Sequence, residues 1–371
     1  MLQRLYINNY RSFVNFELNL GSSTLLLGRN GSGKTSTLDA LFWLQIFIQG
    51  NSSAWDVFGQ SQTRWLDMST ITFELEVTGG PGGEDSFVYR LEVEVQESRR
   101  RARVASETLF AGKACLFAFA DGEIQLYDDQ HGQPGPKFSY DWTRSGLTAV
   151  MPGPSNRRLS WFKTWLRSVL IARLNPSNMA PESREESSLL LFDGSNFASW
   201  YRHLIQEQPG ILMPLFAELK AVIDGFESLD LAQAGDARLL RVQQRVNGKS
   251  YPSPFYELSD GQRILVVMFT VLEMIKQRTT PVMLMIDEPD NYVGLSELEP
   301  LISTLCDLAD EGKVQFVAVS HHPELLDHAG FDHKLLFFRE DSGPTRVDNA
   351  EKRATPELPL SESVARGWVD D

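Results

Sequence analysis

Cysteine is scarce: the 371 residues include only Cys115 and Cys306, far apart and in no metal-ligand spacing. This excludes a disulfide scaffold and a cysteine zinc site, and suits reduced thiols in a cytoplasmic protein. Long apolar runs are missing too. Runs such as 114–120 and 264–269 are far too short to span a bilayer, and the opening residues have no basic stretch leading into an apolar one. No signal peptide and no membrane partner are therefore expected. Positive charge is in deficit, with 35 Lys and Arg against 49 Asp and Glu and a formal net charge of −14. Nucleic acid cannot be coated by bulk electrostatics here, so any contact must come from a local basic patch. The absence of a sustained heptad repeat excludes a long coiled coil. What remains is a chain with ample apolar content for one large domain or two ordinary ones.

The most informative feature present is a glycine-rich run. Gly28-Arg-Asn-Gly-Ser-Gly33-Lys34-Thr35 spells G-x-x-x-x-G-K-T, with the apolar Leu25-Leu26-Leu27 before it and a helical pattern over 35–48 after it. Strand, loop and helix are the context this motif requires. Glycines let backbone N–H groups approach phosphate oxygens, and the helix start adds positive dipole. Gly31, Ser32, Gly33 and the helix start at Lys34, Thr35 and Ser36 are thus candidates for cradling ATP. Lys34 reaches the β- and γ-phosphates, and the Thr35 hydroxyl holds Mg²⁺.

Three later segments complete such a site. The apolar run 282–286 ends in Asp287-Glu288-Pro289-Asp290. A buried strand delivering Asp then Glu at its C-terminal edge is the Walker B arrangement: Asp287 orients Mg²⁺ and Glu288 polarises the attacking water. A helix N-cap with acidic first-turn residues is the plainer alternative. Leu258-Ser-Asp-Gly-Gln262 precedes an apolar helix over 263–276. There Ser259, Gly261 and Gln262 can offer a hydroxyl and backbone N–H groups to an anion, though an ordinary N-cap looks the same. Ser320-His321-His322-Pro323 follows an apolar strand over 314–319. A histidine leaving that strand can bond the γ-phosphate or the lytic water, and His321 is preferred to His322. As metal ligands, His321, His322, His328 and His333 lack a nearby cysteine and a regular spacing, so structural zinc is not expected.

The rest of the pattern is organisational. Residues 2–8 alternate as a strand with 13–20 as its hairpin partner. Alternating runs at 71–77, 87–95, 114–120 and 124–127, separated by Gly79-Gly-Pro-Gly-Gly83 and Asp121-Gly122, signal antiparallel hairpins. Residues 131–155 read as a surface excursion and 159–245 as helical. Beyond Arg339 the chain is charged and proline-bearing, expected to be loosely ordered up to Ala365-Arg-Gly-Trp368. The expected segments are 1–130 (phosphate loop and β lobe), 131–250 (mainly helical insert), 251–340 (signature, Walker B and switch histidine) and 341–371 (acidic tail).

Taken together these residues resemble the RecF/Rad50/SMC-like branch of ABC ATPases. They are most similar to stand-alone ATPases that share the bacterial OLD-type (AAA_21-like) module of phage-defence systems. The likeness runs through Ile7-Asn-Asn-Tyr-Arg-Ser-Phe13, Asn30-Gly-Ser-Gly33, Phe192-Asp-Gly-Ser-Asn196, Leu258-Ser-Asp-Gly-Gln262, Asp287-Glu-Pro289 and Ser320-His-His-Pro-Glu324. It implies an α/β fold: a P-loop ABC-ATPase head with a mixed, mostly parallel core sheet, an antiparallel β lobe and a helical insert. It also implies that Arg11 and Ser12 lie near the base and ribose and Asn30 near the phosphates. Ser259 and Gly261 would act on the nucleotide of a partner subunit. Many relatives read Leu-His-Pro after Walker B, whereas this chain has Asp290-Asn-Tyr-Val-Gly-Leu-Ser-Glu297. The glutamine loop has only Gln60 and Gln62 in range.

The resemblance implies an ATP-hydrolysing homodimer or higher homo-oligomer that controls a separately encoded effector protein in anti-phage defence. After His321 about fifty residues remain, too few for the nuclease that follows the OLD-type module. No fused nuclease is therefore expected. The rival readings are a DNA-repair or chromosome-maintenance ATPase of RecF/Rad50 type, a non-hydrolysing ATP-dependent scaffold, and a transporter's nucleotide-binding subunit, which would need a clear glutamine loop for membrane coupling. Nucleic acid remains an open partner through the arginine-rich stretch 97–103, although a solvated hairpin tip is the plainer and preferred reading of it.

Overall fold

The structure is a computed structural model. It describes all residues except 51, 83–84, 130–131, 326–329, 354–360 and 363–371. Gly83, His328 and most of the tail considered above, including Ala365 to Trp368, lie outside the described residues. The described chain forms two compact units, one from Met1–Val169 with 333–353 and one from Leu170–Asp332. This division cuts across the four segments read from sequence.

In the first unit the alternating runs pair as an antiparallel sheet. Its strands are β1 (Leu2–Asn8), β2 (Phe16–Asn19), β4 (Thr70–Gly79), β5 (Asp85–Gln96), β6 (Arg101–Ala111), β7 (Ala114–Ala120), β8 (Glu123–Tyr127) and β9 (Pro134–Ser139), in the order β2-β1-β4-β5-β6-β7-β8-β9. Register places Leu5, Leu75, Tyr89, Leu109 and Phe117 in one row across five strands, all fully buried. The period of two sends such rows to one face, which is what hairpin alternation encodes. Helix α3 (Arg157–Ser168) covers this face, stacking Trp161 on Phe87 with ring centroids 5.0 Å apart.

Strand β3 (Ser23–Gly28) stands apart from that sheet and feeds α1 (Lys34–Ile48); a short α2 (Ala54–Phe58) follows. Gln45 of α1 donates to the carbonyls of Leu166 and Val169, at 2.8 and 3.0 Å, which ties α1 to the end of α3.

The second unit opens with β10 (Leu170–Ala172) and β11 (Glu182–Ser183). Helices α4 (Phe197–Glu207) and α5 (Leu212–Val222) come next, then β12 (Phe226–Ala234), β13 (Ala237–Val246) and β14 (Lys249–Pro254). Helix α6 (Asp260–Gln277), β15 (Val282–Asp287), α7 (Leu295–Asp310) and β16 (Val314–Val319) complete it. β15 lies parallel to both β10 and β16, and every residue of β15 and β16 is buried. Continuous apolar runs belong in such doubly covered strands. The chain then returns to the first unit through β17 (His333–Arg339), parallel to β3, and β18 (Thr345–Asn349), antiparallel to β17. Parallel strands and antiparallel sheets together make an α/β fold.

Three expectations need correction. Residues 226–246 form the β12–β13 hairpin rather than helix, because their alternation is carried by polar cross-strand partners. Asp230 accepts from Arg241 at 2.9 Å and from Gln243 at 2.7 Å. The excursion at 131–155 includes β9, the edge of the large sheet. The charged segment after Arg339 includes β18, whose Thr345 is fully buried. Among the described residues no helix is long and apolar enough to cross a membrane.

Candidate functional site

The phosphate loop leaves the buried strand β3 and enters α1 through a sharp backbone reversal. Gly33, the residue before Lys34, has φ +109, and a Cβ there would sit 2.5 Å from Thr345 Oγ1. Both the backbone conformation and the space exclude a larger residue. Lys34 is nearly buried, and its Nζ donates to the carbonyls of Gly28 and Arg29 at 2.6 and 3.1 Å, which holds the ammonium inside the loop. Ser32 Oγ is buried without a hydrogen-bond partner among the described residues. A buried hydroxyl left over in a loop of convergent amides fits an anionic ligand. Thr35 and Ser36 occupy the first turn of α1, while Asn30 and Gly31 stand exposed at the top of the loop.

Thr345 ties this loop to the turn at Arg11 and Ser12. Its Oγ1 donates to Ser32 O at 2.8 Å and lies 2.8 Å from Ser12 Oγ. A carbonyl only accepts, so the Thr345 proton goes to Ser32 and Ser12 donates to Thr345. The Thr345 amide completes the link by donating to Ser12 O at 2.9 Å. Arg11 adopts φ +50, donates its backbone N–H to Ser61 O and pairs its guanidinium with Asp39 on α1. Beside it, burial pushes the Tyr10 phenol up to about 12, so Tyr10 is neutral under the Arg11 guanidinium 5.4 Å from its ring. The family resemblance put Arg11 and Ser12 near the base and ribose, and nothing in the sequence suggested Thr345. A lone threonine in a charged tail carries no local signal.

In the second unit β15 presents its acidic pair at the strand end. The Asp287 side chain is 4% exposed, and its Oδ2 accepts from Arg173 Nε at 2.8 Å. Arg173 immediately follows β10, the strand paired with β15, and its own amide donates to Phe192 O at 2.7 Å. Sequence reasoning missed this arginine, because a three-residue strand has no readable periodicity. Of the glutamines considered for a glutamine loop, Gln62 donates to Met68 O at 2.9 Å and Gln60 is exposed.

Glu288 turns the chain with φ +50, rare for a residue with a side chain and a form of strain that gathers at functional sites. Its amide still donates to Val319 O at 2.8 Å, continuing the β15–β16 ladder by one bond. The reversal brings Glu288 Oε1 to 3.7 Å from His321 Nδ1. His322 instead faces Asp290, its Nε2 3.6 Å from Oδ2. Asp290 is buried, accepts from Ser320 Oγ at 2.8 Å, and keeps Oδ1 without a partner among the described residues. Asp290, His321 and His322 can bring ligand atoms within 4.8 Å of one another, a grouping that the irregular histidine spacing did not suggest. His333, in contrast, opens β17, its ring close to Gly21.

Ser259 is the N-cap of α6 in a reciprocal box: its Oγ accepts from Gln262 N at 3.2 Å, and Gln262 Oε1 accepts from Ser259 N at 3.1 Å. An accepting hydroxyl still has its own proton to donate. Gly261 lies so close to the loop after β15 that a Cβ would sit 2.6 Å from Tyr292 O. Glycine here lets α6 start against that loop. Arg263 pairs with Asp260 and donates to Pro176 O at 2.5 Å, joining α6 to the segment after Arg173.

A glycine loop between a buried parallel strand and a helix, with an Asp-Glu pair ending another buried parallel strand, is the arrangement of a P-loop ATPase. The chain belongs to the family described as AAA domain, putative AbiEii toxin, Type IV TA system, which matches residues 23–327. Membership implies nucleotide binding. The chain is 23% identical over 366 residues to the OLD nuclease of Thermus scotoductus, covering 92% of this chain and 62% of that protein's length. Among solved structures it is similar to an Smc head bound to the C-terminal winged-helix domain of ScpA. The TM-score there is 0.58 at 15% identity, with 95% of this chain and 98% of that one covered. It is also similar to an Smc head with an extended coiled coil, bound to the C-terminal domain of ScpA, from Pyrococcus furiosus. That comparison gives a TM-score of 0.55 at 13% identity, covering 95% of this chain and 97% of the other. At these identities the likeness establishes the fold.

Proposed function

We propose that this chain is a Mg²⁺-dependent ATP hydrolase that closes as a homodimer, or a higher homo-oligomer, and controls a separately encoded effector in anti-phage defence. The observation that carries the reading is the Asp287-Glu288 corner, where a positive φ turns the second carboxylate toward His321. Lys34 and the loop amides take the β- and γ-phosphates. Thr35 and Asp287 supply the hard oxygen donors that Mg²⁺ prefers, and the ion when bound offsets phosphate charge. Glu288 accepts the proton of the attacking water, and His321 holds that carboxylate or the γ-phosphate in position. Ser259, with Gly261 and Gln262, donates from a second copy to the γ-phosphate, so each half-site is incomplete alone. The family description and the OLD nuclease relative support the defence role.

The test is phosphate release and solution mass, with and without ATP, for the wild type and Glu288→Gln. The variant should bind ATP, lose about 10²–10⁴-fold in turnover and persist as an ATP-bound dimer. Turnover near the wild-type rate would remove Glu288 as base, and a monomer in saturating ATP would remove closure by a second copy.

A further inference from the structure

The antiparallel unit carries a second candidate site, on side chains that the ATPase reading does not use. β5 and β6 are joined at Glu97–Arg99, where Arg100 turns the chain with φ +50. Around this turn Gln96, Arg100, Arg101, Arg103, Trp55 and Trp142 line a cavity of about 510 Å³. That volume falls within the range of small-ligand sites. Its walls are fixed by the backbone: Val104 N donates to Trp142 O and Ala54 N to Thr143 O, both at 2.7 Å. The Ser53–Asp56 capping box holds the start of α2, which carries Trp55. The Arg103 guanidinium lies 5.6 Å from the Trp142 ring centroid and is answered by Glu94 at 2.7 Å.

Among the described residues, no carboxylate answers Arg100 or Arg101. In a chain of net charge −14 this is a local reversal of sign beside two indoles. A guanidinium fork matches phosphate oxygens, and an indole face takes a planar base by stacking. Glutamine adds an amide able to bond a base edge.

We propose that this cavity binds one nucleotide unit, its phosphate on Arg100 and Arg101 and its base against Trp142 and Trp55. A free mononucleotide and a nucleotide within a single strand offer the same chemistry, and the cavity admits one unit at a time. The site is independent of hydrolysis at the phosphate loop and stands whether or not the chain turns over ATP.

The experiment uses the full chain carrying Lys34→Ala, which removes competition from the phosphate loop. Calorimetry with each of the four common nucleoside monophosphates forms one arm, and polarisation with a labelled single-stranded octanucleotide the other. Binding in the first arm identifies a free nucleotide as sufficient; binding in the second alone identifies a strand. In whichever arm binds, R100E/R101E and W142A should each weaken affinity at least tenfold, and W142F should restore most of it. On the strand, where one phosphate rests on both arginines, replacing them should also lower the slope of log affinity against log salt by about 0.7. The same substitutions beside an intact Lys34 should leave ATPase rates within twofold, which reports that the unit folds. Absence of binding in both arms, or binding that neither substitution weakens, overturns the proposal.

Discussion

Arg173 Nε donates to Asp287 Oδ2 at 2.8 Å, so the carboxylate proposed to hold Mg²⁺ is also addressed by a fixed cation. Two positive groups competing for one carboxylate oppose each other. A unit charge and a divalent ion about 4 Å apart repel by about 2 kcal/mol even in water-like surroundings. Arg173→Ala should therefore lower the half-saturating Mg²⁺ concentration for nucleotide binding by roughly thirtyfold. Arg173→Lys should fall between the two. A Mg²⁺ titration showing an unchanged or higher requirement would make Arg173 a purely structural partner.

Gly33 and Thr345 make a linked prediction. Gly33→Ala meets both the Thr345 hydroxyl and an unfavourable φ of +109, the backbone term alone costing about 1–3 kcal/mol. Removing the obstacle with Thr345→Ala should rescue only part of the lost ATP affinity. Thr345→Val should lower stability by about 1–2 kcal/mol through its two lost hydroxyl bonds, and Thr345→Ser should not. Urea unfolding with ATP calorimetry on the four variants decides it.

The two neighbouring histidines should separate in kind. His321→Ala removes the partner of Glu288 and should reduce phosphate release at least tenfold with little change in melting temperature. His322→Ala faces buried Asp290 and should act mainly on melting temperature. Reversed outcomes would exchange their roles.

Glu107 gives a pH prediction remote from the site. It is fully buried between Tyr89 and Ser145, with the Gly146 amide also donating to it and Lys163 on the same side of the unit. Burial raises its folded value above the ordinary 4.5, outweighing those hydrogen bonds. The native state therefore holds the proton more tightly than the unfolded chain, and stability falls as pH rises from 4.5 through the raised folded value. The stability difference between wild type and Glu107→Gln should accordingly shift toward the variant across that window in urea melts. A difference constant with pH would mean that Glu107 titrates alike folded and unfolded.

Much of the candidate site was legible because its parts are local. The phosphate loop is a run of glycines that need one another's backbone angles, and Asp287-Glu288 ends a strand buried along its whole length. The fold was legible where alternation is strongly apolar, as in β4 and β5, and failed at β12 and β13. There half-buried polar residues pair across the hairpin, leaving little contrast to read. Thr345 and Arg173 were illegible for a different reason: their partners lie 313 and 114 residues away.

Sequence alone determined that a nucleotide loop, an acidic strand end, a capped helix start and a pair of histidines exist in this chain. Each depends on backbone angles that near neighbours dictate. Tertiary structure decided which histidine meets Glu288, which arginine meets Asp287 and which threonine braces the phosphate loop. Those pairings follow from strand register and from the chain's return through β17 and β18, neither of which any short window of residues contains.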